Sequence, residues 1–124
     1  MENKKTILVA EDDNLIMGAV SEKLLHEKFE VLKARNGEEA LSLALNIHPD
    51  LILLDVMMPK MDGLAVLKNL RSDPWGKAVH IIMFSNVSEK EKIAEAMAGQ
   101  AFDYFVKSDT KIEDIILKIK EKLN

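Results

Sequence analysis

The stretch Leu51-Ile52-Leu53-Leu54-Asp55-Val56-Met57-Met58-Pro59 sets four aliphatic residues in a row and then an abrupt acid. An unbroken apolar run of this length reads as a strand covered on both faces, the pattern of a parallel sheet. A charge at its end must surface or meet a partner. Two other runs stop in the same way. Ile7-Leu8-Val9-Ala10 ends in Glu11-Asp12-Asp13, and Phe102-Asp103-Tyr104-Phe105-Val106 ends in Lys107. If these strands lie side by side and parallel, several carboxylates and one ammonium converge on one edge of the sheet.

Working outward, strand patterns fall at Thr6–Ala10, Glu30–Ala34, Leu51–Asp55, Val79–Phe84 and Phe102–Lys107. Helical periods fall between them at Asn14–Glu27, Gly37–Ile47, Asp62–Ser72 and Glu89–Ala98, and Lys111–Leu123 follows the last strand. The final helix is the clearest, with Ile112, Ile115, Ile116, Ile119 and Leu123 on one face. Ser88 with Glu91 and Thr110 with Glu113 fit the capping box, and Asn36 with Glu39 is a looser version. Asp62 reads as the cap of the third helix, Asp13 or Asn14 as that of the first. Gly99 is placed to end the fourth helix in a left-handed cap. Five strands alternating with five helices predict an α/β fold, a parallel sheet with helices on both faces. No linker, repeat or low-complexity stretch divides the chain, so residues 1–124 read as one domain.

Composition narrows the classes of function. With 48% hydrophobic and 31% charged residues, the 124-residue chain is that of an ordinary globular protein. A net charge of -4 argues against a nucleic-acid partner, which wants a basic field. No stretch has the length of a membrane span, and nothing resembles a signal-peptide core. The absence of cysteine excludes disulfides, thiolate metal sites and a cysteine nucleophile, and fits a cytoplasmic location.

In open α/β sheets, ligands bind outside the carboxyl ends of the strands. Glu11, Asp12, Asp55, Ser85 and Lys107 all fall there. Three acids so placed repel one another, about 4 kcal/mol for a pair some 4 Å apart at an effective dielectric near 20. A lysine offsets only part of that, whereas carboxylates with a carbonyl and water make a Mg²⁺ site. A carboxylate beside Mg²⁺ and an ammonium is a candidate phosphoryl acceptor. Ser85 could then donate to a phosphoryl oxygen while Lys107 neutralises its charge. Taken singly, each residue has a plainer reading as a helix cap, loop hydroxyl or solvated lysine. Asp55 fits the cap reading poorly, because the next helix starts several residues later. His26, His48 and His80 are scattered without metal-ligand spacing and read as structural or surface groups.

Together these residues resemble a bacterial response-regulator receiver domain over nearly the whole chain. The matching pieces are Ile7-Leu8-Val9-Ala10-Glu11-Asp12-Asp13, Asp50-Leu51-Ile52-Leu53-Leu54-Asp55-Val56-Met57-Met58-Pro59, Met61-Asp62-Gly63, Ile82-Met83-Phe84-Ser85 and Tyr104-Phe105-Val106-Lys107. Five pieces in this order are specific where one would not be. The resemblance implies a flavodoxin-like doubly wound sheet with strand order 2-1-3-4-5. It implies that Asp55 accepts a phosphoryl group from a histidine kinase or phosphotransfer protein. Asp12 and Asp55 would bind Mg²⁺ directly, Glu11 through water, and Met57 through its backbone carbonyl. Lys107 would pair with Asp55 or its phosphoryl group. Ser85 would move to bond the phosphoryl oxygen while Tyr104 swings from exposed to buried, changing partners at the face of the fourth helix, fifth strand and fifth helix.

The chain departs from the family pattern in four places. Ser108 follows Lys107 where a cis proline is usual, which bears on the rigidity of that loop. Asn86 follows Ser85 where a small residue is usual, which bears on phosphoryl access. Gln100 separates Gly99 from Ala101, and Ala10 stands for the commoner valine. None removes a chemical group. The implied function is a phosphoacceptor acting on a downstream protein, as a monomer or a phosphorylation-dependent dimer, with a relay intermediate as the alternative. Its only catalysis would be of its own phosphorylation and dephosphorylation. A haloacid-dehalogenase-type phosphatase would want a D-x-D pair after the first strand, and an FMN binder an uncharged phosphate loop there. Glu11-Asp12-Asp13 supplies neither.

Overall fold

The structure, a computed structural model, describes residues 4–123. The elements run β1 (Thr6–Ala10), α1 (Asn14–His26), β2 (Glu30–Ala34), α2 (Gly37–Ile47), β3 (Leu51–Leu54), α3 (Gly63–Arg71), β4 (His80–Ser85), α4 (Lys90–Ala98), β5 (Asp103–Val106) and α5 (Ile112–Leu123). The five strands form one parallel sheet in the order β2-β1-β3-β4-β5, as expected.

Burial follows place in the sheet. Every residue of β3 is buried, whereas β5 at the edge is half-buried throughout. Pairing puts Leu8 beside Ile52 and Ile52 beside Ile81, so the period of two carries whole rows of side chains to one face. Leu8, Ala10, Ile52, Leu54, Ile81 and Met83 pack there with residues of α2, α3 and α4. Ile7, Val9, Leu51, Leu53, Ile82 and Phe84 face α1 and α5 on the other side.

Three helix starts follow the sequence reading. Asp13 Oδ1 accepts from the Leu15 and Ile16 amides, and Asp62 Oδ1 from the Ala65 amide. Asn36 Oδ1 accepts from the Glu39 amide, while Glu39 reaches back to the Arg35 amide instead of that of Asn36. The two capping boxes do not form. The cap position of α4 is Glu89, without a side-chain hydrogen bond, so Ser88 lies one residue too early. Helix α5 starts at Ile112, and the Asp114 and Ile115 amides donate to the Lys111 carbonyl, which puts the cap beyond Thr110.

The end of α4 also differs from expectation. Gly99 has φ -78°, and the left-handed residue is Gln100 at φ 66°. The Ala101 amide then closes on the Ala96 carbonyl, turning the chain toward β5. Gly99 meets a different demand, since a Cβ there would stand 2.9 Å from Leu67 Cδ2 of α3. Lys107 lies just past β5, where Lys107–Asp109 form a single 3-10 turn.

Candidate functional site

Adjacent strands β1 and β3 end level with one another, Ala10 beside Leu54, and the next residues are Glu11 and Asp55. The Asp55 amide donates to the Ala10 carbonyl and the Glu11 amide to the Ala34 carbonyl, so both backbones are held by the sheet. Both residues are buried, Glu11 3% and Asp55 4% exposed. Carboxylate oxygens of Glu11, Asp12 and Asp55 lie within 4.8 Å of one another, with Asp12 open to solvent.

From the far side, across β4, Lys107 reaches into this cluster. Its Nζ stands 2.6 Å from Glu11 Oε1 and 2.9 Å from Asp55 Oδ2. The ammonium also sits 5.8 Å from the centre of the Phe84 ring, within the range of a cation–π contact. Burial alone would push the Lys107 ammonium down, but the ion pairs with Glu11 and Asp55 outweigh it and raise its pKa. The Glu11 carboxyl is pushed up, chiefly by burial and further by the charge of Asp55, against the opposing pull of Lys107. Three carboxylates face one ammonium, so the cluster is two charges short of neutrality and suits a hard divalent cation.

Two backbone approaches fix Asp55 further. Its Oδ1 accepts from the Met57 amide at 3.3 Å. Gly63, the first residue of α3, packs directly on the Asp55 backbone, where a Cβ would stand 2.0 Å from the Asp55 carbonyl oxygen. The Gly63 amide donates to the Val56 carbonyl, tying the start of α3 to the segment after β3.

Ser85 is fully buried at the end of β4, and its Oγ accepts from the Val87 amide at 3.2 Å. The Val87 carbonyl accepts in turn from the Tyr104 hydroxyl. Tyr104 is half-buried, and burial raises its phenol above the ordinary range. The loop after β4 therefore joins Ser85 to Tyr104 through one residue.

Of the residues singled out in the sequence, Glu11, Asp12, Asp55 and Lys107 meet in one cluster, and Ser85 and Tyr104 are linked beside it. Met57 follows Asp55 with an exposed side chain, 66% accessible. The histidines lie away from the cluster, His48 stacked on Trp75 with ring centres 4.2 Å apart. The sequence reading did not find the Lys107–Glu11 pair, the Val87 link or the close seat of Gly63. Gly63 did carry a signal, a glycine just after a cap, though nothing in the sequence says what it approaches.

Among the described residues, no helix is long and apolar enough to cross a membrane. The family model described as the Response regulator receiver domain matches residues 7–120. The regulatory protein AtoC of Escherichia coli is 37% identical over 101 residues, covering 82% of this chain and 22% of AtoC. The transcriptional regulatory protein SrrA of Staphylococcus aureus is 36% identical over 117 residues, 94% of this chain and 47% of SrrA. The chain thus spans less than half the length of these curated relatives. Among solved structures, a receiver domain protein (CheY-like) from Methanospirillum hungatei matches with TM-score 0.90 and 28% identity, covering 98% of this chain and 94% of that one.

Proposed function

The chain belongs to the response regulator receiver family, the signalling domain of two-component systems, and from that premise we propose that residues 1–124 act as a single phosphoacceptor domain. Asp55 is the acceptor. Its carboxylate oxygen attacks the phosphorus of a phosphohistidine on a histidine kinase or phosphotransfer protein. The P–N bond breaks, a P–O bond forms, and the imidazole leaving group takes up a proton. The observation that carries this reading is the pairing of a buried Asp55 with the Lys107 ammonium at 2.9 Å inside a cluster of two further acids.

Glu11, Asp12 and Asp55 fit a Mg²⁺ ion, with the Met57 carbonyl and water as further ligands. When bound, Mg²⁺ supplies neutralisation of the phosphoryl oxygens during transfer. Glu11 and Asp55 also hold Lys107 within reach of the added charge. Ser85 donates to a phosphoryl oxygen, and its loop carries the change through Val87 to Tyr104. The face of α4, β5 and α5 then exchanges partners, with a downstream protein as target. A change in charge at one residue thereby biases a two-state loop.

Incubation with a phosphorylated kinase core and Mg²⁺ tests the reading. The label should pass to the chain and not to Asp55→Asn. Equal transfer to that variant would refute Asp55 as acceptor.

A further inference from the structure

The loops after β4 and β5 are joined beyond the sheet. The strand ladder ends with Ser85 beside Val106. Just past that register, two residues on from Val106 and one on from Ser85, the Ser108 amide donates to Asn86 Oδ1 at 3.1 Å. Asn86 directly follows Ser85, and Ser108 directly follows Lys107. We infer that Asn86 is a positioning residue for Lys107: its side-chain carbonyl fixes the first peptide after Lys107 and so keeps the ammonium over Glu11 and Asp55. The inference rests on the reading of Asp55 as phosphoryl acceptor.

Lys107 needs such an anchor. It opens a single 3-10 turn whose closing bond, from the Thr110 amide to the Lys107 carbonyl, is long at 3.5 Å. The preceding strand is an edge strand, half-buried along its length. A lysine head lies four carbons from its backbone, so a small rotation of that peptide moves the ammonium far. The amides of a first helical turn have no partner within the helix, and Asn86 supplies one from the neighbouring loop. The same loop holds Ser85 and Tyr104 through Val87, which leaves Asn86 as its link to the Lys107 side.

A double-mutant cycle on the full chain tests this, with Asn86→Ala, Lys107→Ala and the pair. The readouts are affinity for beryllofluoride with Mg²⁺ present and affinity for Mg²⁺ alone. Asn86→Ala should weaken beryllofluoride binding about two- to five-fold, the scale of one exposed hydrogen bond. It should not weaken Mg²⁺ binding, and in the Lys107→Ala background it should change nothing further. Unchanged beryllofluoride affinity would overturn the inference. So would an equal loss in the Lys107→Ala background, which would mean that Asn86 acts without Lys107. If the unsubstituted chain binds no beryllofluoride, the Asp55 reading fails, and acylation of Lys107 by an N-hydroxysuccinimide ester decides the inference separately. Faster labelling of Lys107 in Asn86→Ala supports it, and equal labelling rules it out.

Discussion

The Tyr104 hydroxyl donates to the carbonyl of Val87, two residues beyond Ser85. Any movement of Ser85 toward a group on Asp55 must therefore drag or break that bond. Tyr104 is the only tyrosine in the chain, so selective ring labelling gives one resonance to follow. Beryllofluoride with Mg²⁺ should shift it, and Ser85→Ala should abolish most of the shift. A resonance that stays put while beryllofluoride binds would remove Tyr104 from the switch.

A metal ion held by Glu11 and Asp55 would compete with Lys107 for the same carboxylates, since Nζ lies 2.6 Å from Glu11 and 2.9 Å from Asp55. Lys107→Ala removes a like charge from a buried site. Mg²⁺ should then bind at least about three-fold more tightly, because even a small part of the charge repulsion at this range suffices. Calorimetric titration checks it. Weaker Mg²⁺ binding in Lys107→Ala would mean that the lysine organises the carboxylates instead of competing for them.

Two glycines should respond in opposite ways. Gly63→Ala places a methyl 2.0 Å from the Asp55 carbonyl oxygen, which only backbone movement can relieve. It should cost at least about 2 kcal/mol in urea unfolding. Gly18 lies exposed within α1 with nothing within 4 Å, so Gly18→Ala should stabilise by about 0.5–1 kcal/mol. Similar effects from both would contradict the packing described.

How much of this was legible in the sequence follows from where the information lies. The strand runs were readable because parallel strands are buried on both faces, which makes them continuous in the sequence. Asp55, Glu11 and Lys107 were conspicuous because each breaks off such a run. The left-handed residue was misplaced at Gly99 because glycine usually takes that role. Here Gly99 faces Leu67 and Gln100 takes the turn. The Lys107–Glu11 pair joins residues 96 apart in the chain, and the seat of Gly63 on Asp55, only eight residues away, depends on how the loop after β3 folds back. Only the assembled sheet brings the first pair together, and only the closed loop, with the Gly63 amide on the Val56 carbonyl, brings the second.

His80 gives the fold a pH dependence at the end of the sheet away from the acids. Burial, then the charges of Lys122 and Arg71, holds its imidazole below the ordinary range. A folded-state value below the unfolded one stabilises the chain above about pH 6.5, and that contribution is lost as pH falls through the lowered value. Between about pH 7.5 and about pH 5.5 the urea midpoint of the unsubstituted chain should drop more than that of His80→Gln. Parallel midpoints would show that His80 contributes nothing to the acid side of the curve.

The central claim is that Asp55 is the phosphoryl acceptor of a metal-dependent site. Intact-mass spectrometry after incubation with acetyl phosphate addresses it most directly. With Mg²⁺ present, the mass should rise by one phosphoryl group, and neither Asp55→Asn nor a sample stripped of divalent ions by a chelator should show the increase. Equal labelling of Asp55→Asn, or labelling indifferent to the chelator, would contradict the account.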